Sequence, residues 1–367
     1  MLEGLELQNF RNYKKASFEF SPETSLVVGP NTSGKTNVLE AIFLLALGRT
    51  FRPGLERGMI RFGKEIGRVR GKIRSGKWVH PEGSPRRDVG GENKNGETLE
   101  LEMVLTRGEV LGKPAPPKKL LVNGVVRRLF NFVGNLQVVM FGPEDLELVT
   151  NSPSLRRAHL DFVLEQVDRE YRRCSHVYNK ALIQRNRLLK FIREDKRSKG
   201  ELEYWDKLLI ENGSYITTKR QGFFECVNNL PKKLGEFEFG YQPSEISFER
   251  LNKYQSEEIS AGMTLVGPHR DDFKFKVEAR DLTIFGSRGQ QRTAVLALKL
   301  AELEFMSQIL GNRPILLLDD IFSELDSDNR GEVLKVIPKQ QTIITTTDLG
   351  LVEKGFLDKM KVIELNV

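Results

Sequence analysis

Eight residues restrict this chain more than any others. Residues 29–36, GPNTSGKT, match the pattern GxxxxGK[ST], in which backbone amides wrap phosphate oxygens, a lysine reaches the terminal ones and a hydroxyl faces a divalent cation. The flanking residues agree with the pattern. LVV at 26–28 reads as a strand, and KTNVLEAIFLLAL at 35–47 reads as a helix that meets no breaker before Gly48. Strand, glycine loop and helix in direct succession begin a nucleotide-binding α/β fold. Gly29, Pro30, Asn31, Thr32, Ser33, Gly34, Lys35, Thr36 and Asn37 are therefore the expected phosphate cradle for ATP, with Thr36 also a ligand of Mg2+.

Such a fold needs an apolar strand that ends in a cation-binding acid, and PILLLDD at 314–320 supplies it. Asp319 is the expected Mg2+ partner. Asp320, emerging from the strand end beside the terminal phosphate, is expected to orient or deprotonate the attacking water, with Lys35 as the other catalytic residue. A third part is FGSRGQQRTAVLALKLAE at 285–302. Here Ser287 and Gly289 stand at the start of a long helix, whose dipole and free amides favour a phosphate, in this case one held by a partner subunit. SELD at 323–326 and the strand QTIITTTD at 341–348 then occupy the places of an interface loop and a phosphate sensor. Chance imitates one such part easily, but not all of them in this order.

Between these parts, short strands are expected at 4–8, 17–20, 25–28 and 99–105, and LLVNGVVRRL sets Asn123 and Gly124 in a tight hairpin turn. Residues 76–98, rich in glycine, proline and charge, read as a mobile loop between strands. Apolar residues recur at helical spacing over 153–197 and 201–230, with Pro231 closing the second run, in too few heptads for a long coiled coil. The expected organisation is an ATPase lobe from residues 1–150 and 263–367, with mixed and antiparallel strands, and an inserted helical lobe from 151–262.

Composition excludes several classes. With 39% hydrophobic residues the chain can bury a core, and no apolar stretch approaches the roughly 20 residues that cross a bilayer, so no membrane partner and a cytoplasmic address are expected. Cys174 and Cys226 lack metal-ligand spacing and read as buried thiols. The net charge of +7 is a mild signal, but basic pairs occur at Arg86/Arg87, Lys118/Lys119, Arg127/Arg128, Arg156/Arg157 and Arg172/Arg173. Without a helix-turn-helix or an aromatic platform, any DNA contact would follow backbone charge and shape rather than base sequence.

The segments NFRNY, GPNTSGKTNVLEAI, FGPEDLELVTNSPSLRRAHLD, LVGPHRDD, SRGQQRTAVLALKLAE and ILLLDDIFSELD together resemble the RecF family of bacterial recombination mediators, almost end to end. The resemblance implies a head of the ABC/SMC-like type that dimerises on ATP, hydrolyses it slowly under DNA stimulation, and serves repair, replication and the SOS response. It implies binding at DNA gaps and single/double-strand junctions, and work with RecR and RecO to load the recombinase RecA. It further implies that Ser287 and Gln290 reach the ATP of the other subunit, that Asp326 lies at the interface, and that Arg11, in NFRNY, approaches the adenine or the phosphates.

The chain departs from these patterns in places. Thr32 stands where many relatives carry glycine, Asp320 where transporters use glutamate, and Thr347 where transporters place a switch histidine; Gln137 is the candidate lid glutamine. A transporter subunit is opposed by SRGQQ in place of LSGGQ, and a chromosome-structure ATPase by the short helical insert. A P-loop nuclease is opposed by the lack of an acidic cluster beyond Asp319 and Asp320.

Overall fold

The computed structural model describes residues 1–50, 56–74, 98–232, 234–325, 327–351 and 354–365. The expected 76–98 loop, apart from Thr98, lies outside the described residues, as do Arg86, Arg87 and Asp326. The chain forms two compact units, Met1–Asp145 with Glu302–Val367, and Leu146–Ala301.

Among the described residues the first unit holds two large sheets and a two-stranded ribbon of Glu109–Val110 with Lys113–Pro114. A parallel sheet runs in the order Val138–Phe141, Ile315–Asp319, Thr342–Thr346, Thr24–Val28 and Lys361–Glu364. Its middle strands, ILLLD and TIITT, are buried along their whole length, as strands covered on both faces are. The Lys35–Leu47 helix is buried on nearly every side, which explains why its sequence is apolar rather than amphipathic. An antiparallel sheet orders Tyr13–Glu19, Leu2–Phe10, Ile66–Arg74, Thr98–Thr106, Lys118–Val122 and Val125–Arg127. Asn123 and Gly124, at φ of 50° and 74°, make the hairpin turn that the Asn-Gly pair predicts. Gln341 joins the two sheets: its side chain accepts from Leu2 N at 2.8 Å and donates to the carbonyls of Leu2 and Ser21 at 2.7 and 2.9 Å.

The second unit contains three long helices, Pro153–Val167, Arg169–Arg193 and Leu202–Asn229, where helical spacing predicts them. The boundary expected at 262/263 falls inside this unit, because Asp272–Val277 pairs along its whole length with Phe237–Gln242. Charge reinforces the pairing. Buried Arg220 donates to Asp161 at 2.9 Å, Asp271 at 2.8 Å, the Pro268 carbonyl at 2.8 Å and the Tyr171 hydroxyl at 3.0 Å. Asp271, wholly buried, also accepts from the Tyr241 hydroxyl and from Ser244 N. Buried ions persist only with such complete partnering. Cys174 is buried and Cys226 half-buried; burial pushes the Cys174 thiol up to about 11, so it is an inert packing group. Among the described residues, no helix is long and apolar enough to cross a membrane.

Candidate functional site

The parallel sheet delivers its chemistry at the strand ends. After Val28 the chain enters the loop at Gly29, where a Cβ would lie 2.8 Å from Ser33 Oγ and 2.9 Å from the Leu365 carbonyl. Thr32 takes φ 71° and Gly34 φ 101°, both in the left-handed region. The Thr32 that replaces the usual glycine therefore carries backbone strain of about 1–2 kcal/mol rather than simple stiffness. The loop curls around buried Lys35, whose ammonium donates to the carbonyls of Gly29 at 2.8 Å and Pro30 at 2.9 Å. Ser33 Oγ is buried and has no hydrogen-bond partner among the described residues. Unmet polar groups around a tight glycine cradle are what a phosphate would satisfy, so the residues present fit a nucleotide.

Asp319 sits beside the loop, 6% exposed. Its Oδ1 accepts from Thr36 Oγ1 at 3.1 Å and from Thr345 Oγ1 at 2.6 Å. Burial raises its pKa above the usual carboxylate value, against the pull of both hydroxyls and of Lys35 and with the help of Asp320. A desolvated carboxylate next to a threonine hydroxyl is a donor pair suited to a hard cation. Asp320 follows in a left-handed conformation, φ 48°, fixed by its N–H on Thr345 Oγ1 at 3.1 Å. Thr345 thus bridges both acids. Thr347, the position the sequence singles out, lies just past the strand, which ends at Thr346.

NFRNY reaches this site from the antiparallel sheet. Arg11 grips Glu40 of the Lys35–Leu47 helix through Nε and Nη2, each at 2.7 Å, and Gly58 O at 3.3 Å, so its guanidinium holds the helix. Asn12 donates to Ser33 O at 3.0 Å, and the Tyr13 hydroxyl to Gly34 O at 3.2 Å. Neither residue was anticipated.

Ser287, Gly289 and Gln290 belong to the second unit and are exposed. Gln290 N donates to Ser287 Oγ at 3.2 Å and Ser287 N to Gln290 Oε1 at 2.9 Å, a reciprocal cap at the start of the helix. Buried Gln137 donates to the Gly134 carbonyl and is committed there. Several expected DNA contacts are structural. Arg156 binds Asp272 at 2.6 and 3.0 Å, Arg157 the Asp271 carbonyl at 2.8 Å, Arg172 the Glu165 carbonyl, and Lys118 the Gly48 carbonyl at 3.2 Å. Arg173 pairs with Glu170 on the surface.

On the outer face of the antiparallel sheet, Lys15, Gln8, Arg68, Val104 and Lys119 fall opposite one another across five strands. The adjacent row is neutralised, with Arg70 within 3.6 Å of Glu6, Glu100 and Glu102. On the first line Arg68 is also paired, with Glu102 at 3.3 Å, which leaves Lys15 and Lys119 as its exposed cations.

Residues 1–75 match the family model described as RecF/RecN/SMC N terminal domain. The chain is 38% identical over 361 residues to the DNA replication and repair protein RecF of Lachnoclostridium phytofermentans, covering 95% of this chain and 93% of that one. To the protein of the same name from Moorella thermoacetica it is 36% identical over 378 residues, covering 99% and 94%. A solved structure of the recombination mediator protein RecF with ATP, in the RecFOR pathway, superposes with a TM-score of 0.82 at 33% identity, covering 96% of this chain and 93% of that chain.

Proposed function

The chain belongs to the RecF family, and from that premise we propose that it is a recombination mediator acting with ATP on DNA, its ATP sites completed by a second copy of itself. The observation that carries this reading is the meeting of Thr36 and Asp319 at 3.1 Å beside the Lys35 cradle, with Asp320 fixed next to them by Thr345. In this reading Lys35 and the loop amides hold the phosphates, and Thr36 and Asp319 hold Mg2+. Bound Mg2+ would draw charge from the terminal phosphates. Asp320 orients the attacking water; an aspartate there reaches less far than a glutamate, in keeping with slow hydrolysis.

The exposed Ser287 and Gly289 at a helix start are the elements we assign to the partner's nucleotide, with Gln290 holding the serine in place. Asp326 is assigned to the same interface on family grounds. Exposed Lys15 and Lys119, on one line across the strands, support a DNA-facing role for the outer sheet, through phosphates and without sequence preference. Gapped or junction DNA as target, RecR and RecO as partners, and a cytoplasmic address follow the family.

Light scattering with ATP and Mg2+, with ADP and without nucleotide, with and without gapped DNA, tests the shared-site reading. ATP is expected to double the mass of the wild type and to leave Lys35→Met and Ser287→Arg monomeric. A wild type that stays monomeric under every condition overturns it.

A further inference from the structure

The Phe10–Tyr13 turn touches the phosphate loop where its amides are set. Asn12 Nδ2 holds the Ser33 carbonyl, the Tyr13 hydroxyl holds the Gly34 carbonyl, and Asn12 Oδ1 accepts from Asn37 Nδ2 at 2.9 Å. A Cβ on Gly34 would come within 2.6 Å of Asn12 Nδ2 and 2.8 Å of the Tyr13 hydroxyl, so loop and turn are in direct contact. The turn is itself anchored: Arg11 N donates to Met59 O at 2.6 Å, Arg61 donates to the Asn12 carbonyl, and Arg11 is locked on Glu40.

The consequence follows from peptide geometry. In a planar trans peptide the carbonyl and the next N–H point in opposite directions, and the chain has no cis bonds among its described residues. Drawing the Ser33 and Gly34 carbonyls toward the turn therefore aims the N–H groups of Gly34 and Lys35 away from it. Those are the amides that a GxxxxGK[ST] loop turns on a phosphate. The loop also holds Thr32 at φ 71°, a conformation threonine rarely adopts, so the shape must be imposed by its surroundings when no phosphate is bound.

We infer that Asn12 and Tyr13 are positioning residues for nucleotide binding, a clamp from the antiparallel sheet that presets the phosphate-loop amides before the ligand arrives. This rests on the reading of the loop as an ATP site. Preset amides hold phosphate alike in the bound substrate and in the transition state, so losing them is felt in KM more than in kcat.

Full-length Tyr13→Phe, Asn12→Ala and Lys35→Met are compared with the wild type for the Kd of ATP with Mg2+, for steady-state KM and kcat, and for the nucleotide-free melting temperature. Loss of one or two net hydrogen bonds predicts a Kd and KM for ATP raised on the order of fivefold in Tyr13→Phe and on the order of tenfold in Asn12→Ala. kcat is expected to change less than about twofold, with the nucleotide-free melting temperature lowered by no more than about 2–4 °C for each hydrogen bond lost. A merely structural role would lower the melting temperature and kcat per mole of protein while leaving KM and Kd for ATP unchanged, and that unchanged affinity overturns the clamp. Should Asn12→Ala fail to fold, Tyr13→Phe decides, since it keeps the ring and deletes only the hydroxyl. If Lys35→Met binds ATP as the wild type does, the nucleotide-site reading itself fails; if Lys35→Met loses ATP while both turn variants bind like wild type, only the clamp falls.

Discussion

Asp319 shows how one buried carboxylate sets stability against function. Burial raises its pKa in the folded chain, so between the unfolded and folded values the native state holds a proton that the unfolded chain has released. Stability therefore falls as pH rises through that window, and at neutral pH the ionised carboxylate is a standing penalty. Asp319→Asn keeps an acceptor for the hydroxyls of Thr36 and Thr345 while removing the charge. It is expected to raise the nucleotide-free melting temperature by a few degrees at pH 7, roughly 2–4 °C for each kcal/mol relieved, and to abolish further stabilisation by Mg2+ and ATP. Paired thermal melts check both halves, and a lower nucleotide-free value would contradict the penalty. Asp319, Lys35 and Thr36 were legible in the sequence because each occupies a fixed place in a short motif. Thr345, Asn12 and Tyr13 were not, since each acts on a residue far along the chain, a relation that only the sheets create.

Elements were legible where local physics decides them and illegible where distant charge does. The Lys35–Leu47 helix begins and ends where the helix-forming run and Gly48 place it, and the Asn123-Gly124 turn follows from the two residues that tolerate it. The extent of the second unit did not follow, because Asp271 and Asp272 are claimed by Arg220 and Arg156, residues 51 and 116 positions away. Apolar periodicity carries no sign of such pairs. The buried pair network predicts a sharp contrast between two arginines. Arg220→Met strands Asp161 and Asp271 and is expected to cost about 3–5 kcal/mol, whereas Arg173→Ala, removing an exposed pair with Glu170, should cost less than about 1 kcal/mol. Urea unfolding of both variants measures the difference, and near-equal midpoints would show that the hub is not what holds the helices to the Asp272–Val277 strand.

For the whole molecule, ATP state and DNA retention become one question of charge counting. Each cation that displaces counterions from DNA adds about 0.9 to the slope of log affinity against log salt. Lys15→Ala with Lys119→Ala removes two exposed cations from the outer row and should lower that slope by about 2, while Arg173→Ala, whose cation is engaged by Glu170, should leave it unchanged. The same count tests assembly. If ATP brings two copies onto one DNA, two rows contribute, and the slope measured with ATP should be about twice that with ADP, because it scales with the phosphates contacted. Doubling also makes retention depend steeply on the terminal phosphate, since hydrolysis would remove half of the contacts at once. Titrations of gapped duplex at a series of salt concentrations with each nucleotide decide it. Equal slopes would mean that a single copy holds the DNA whatever the nucleotide, and the link between ATP and DNA residence would then have to run through something other than the number of charges engaged.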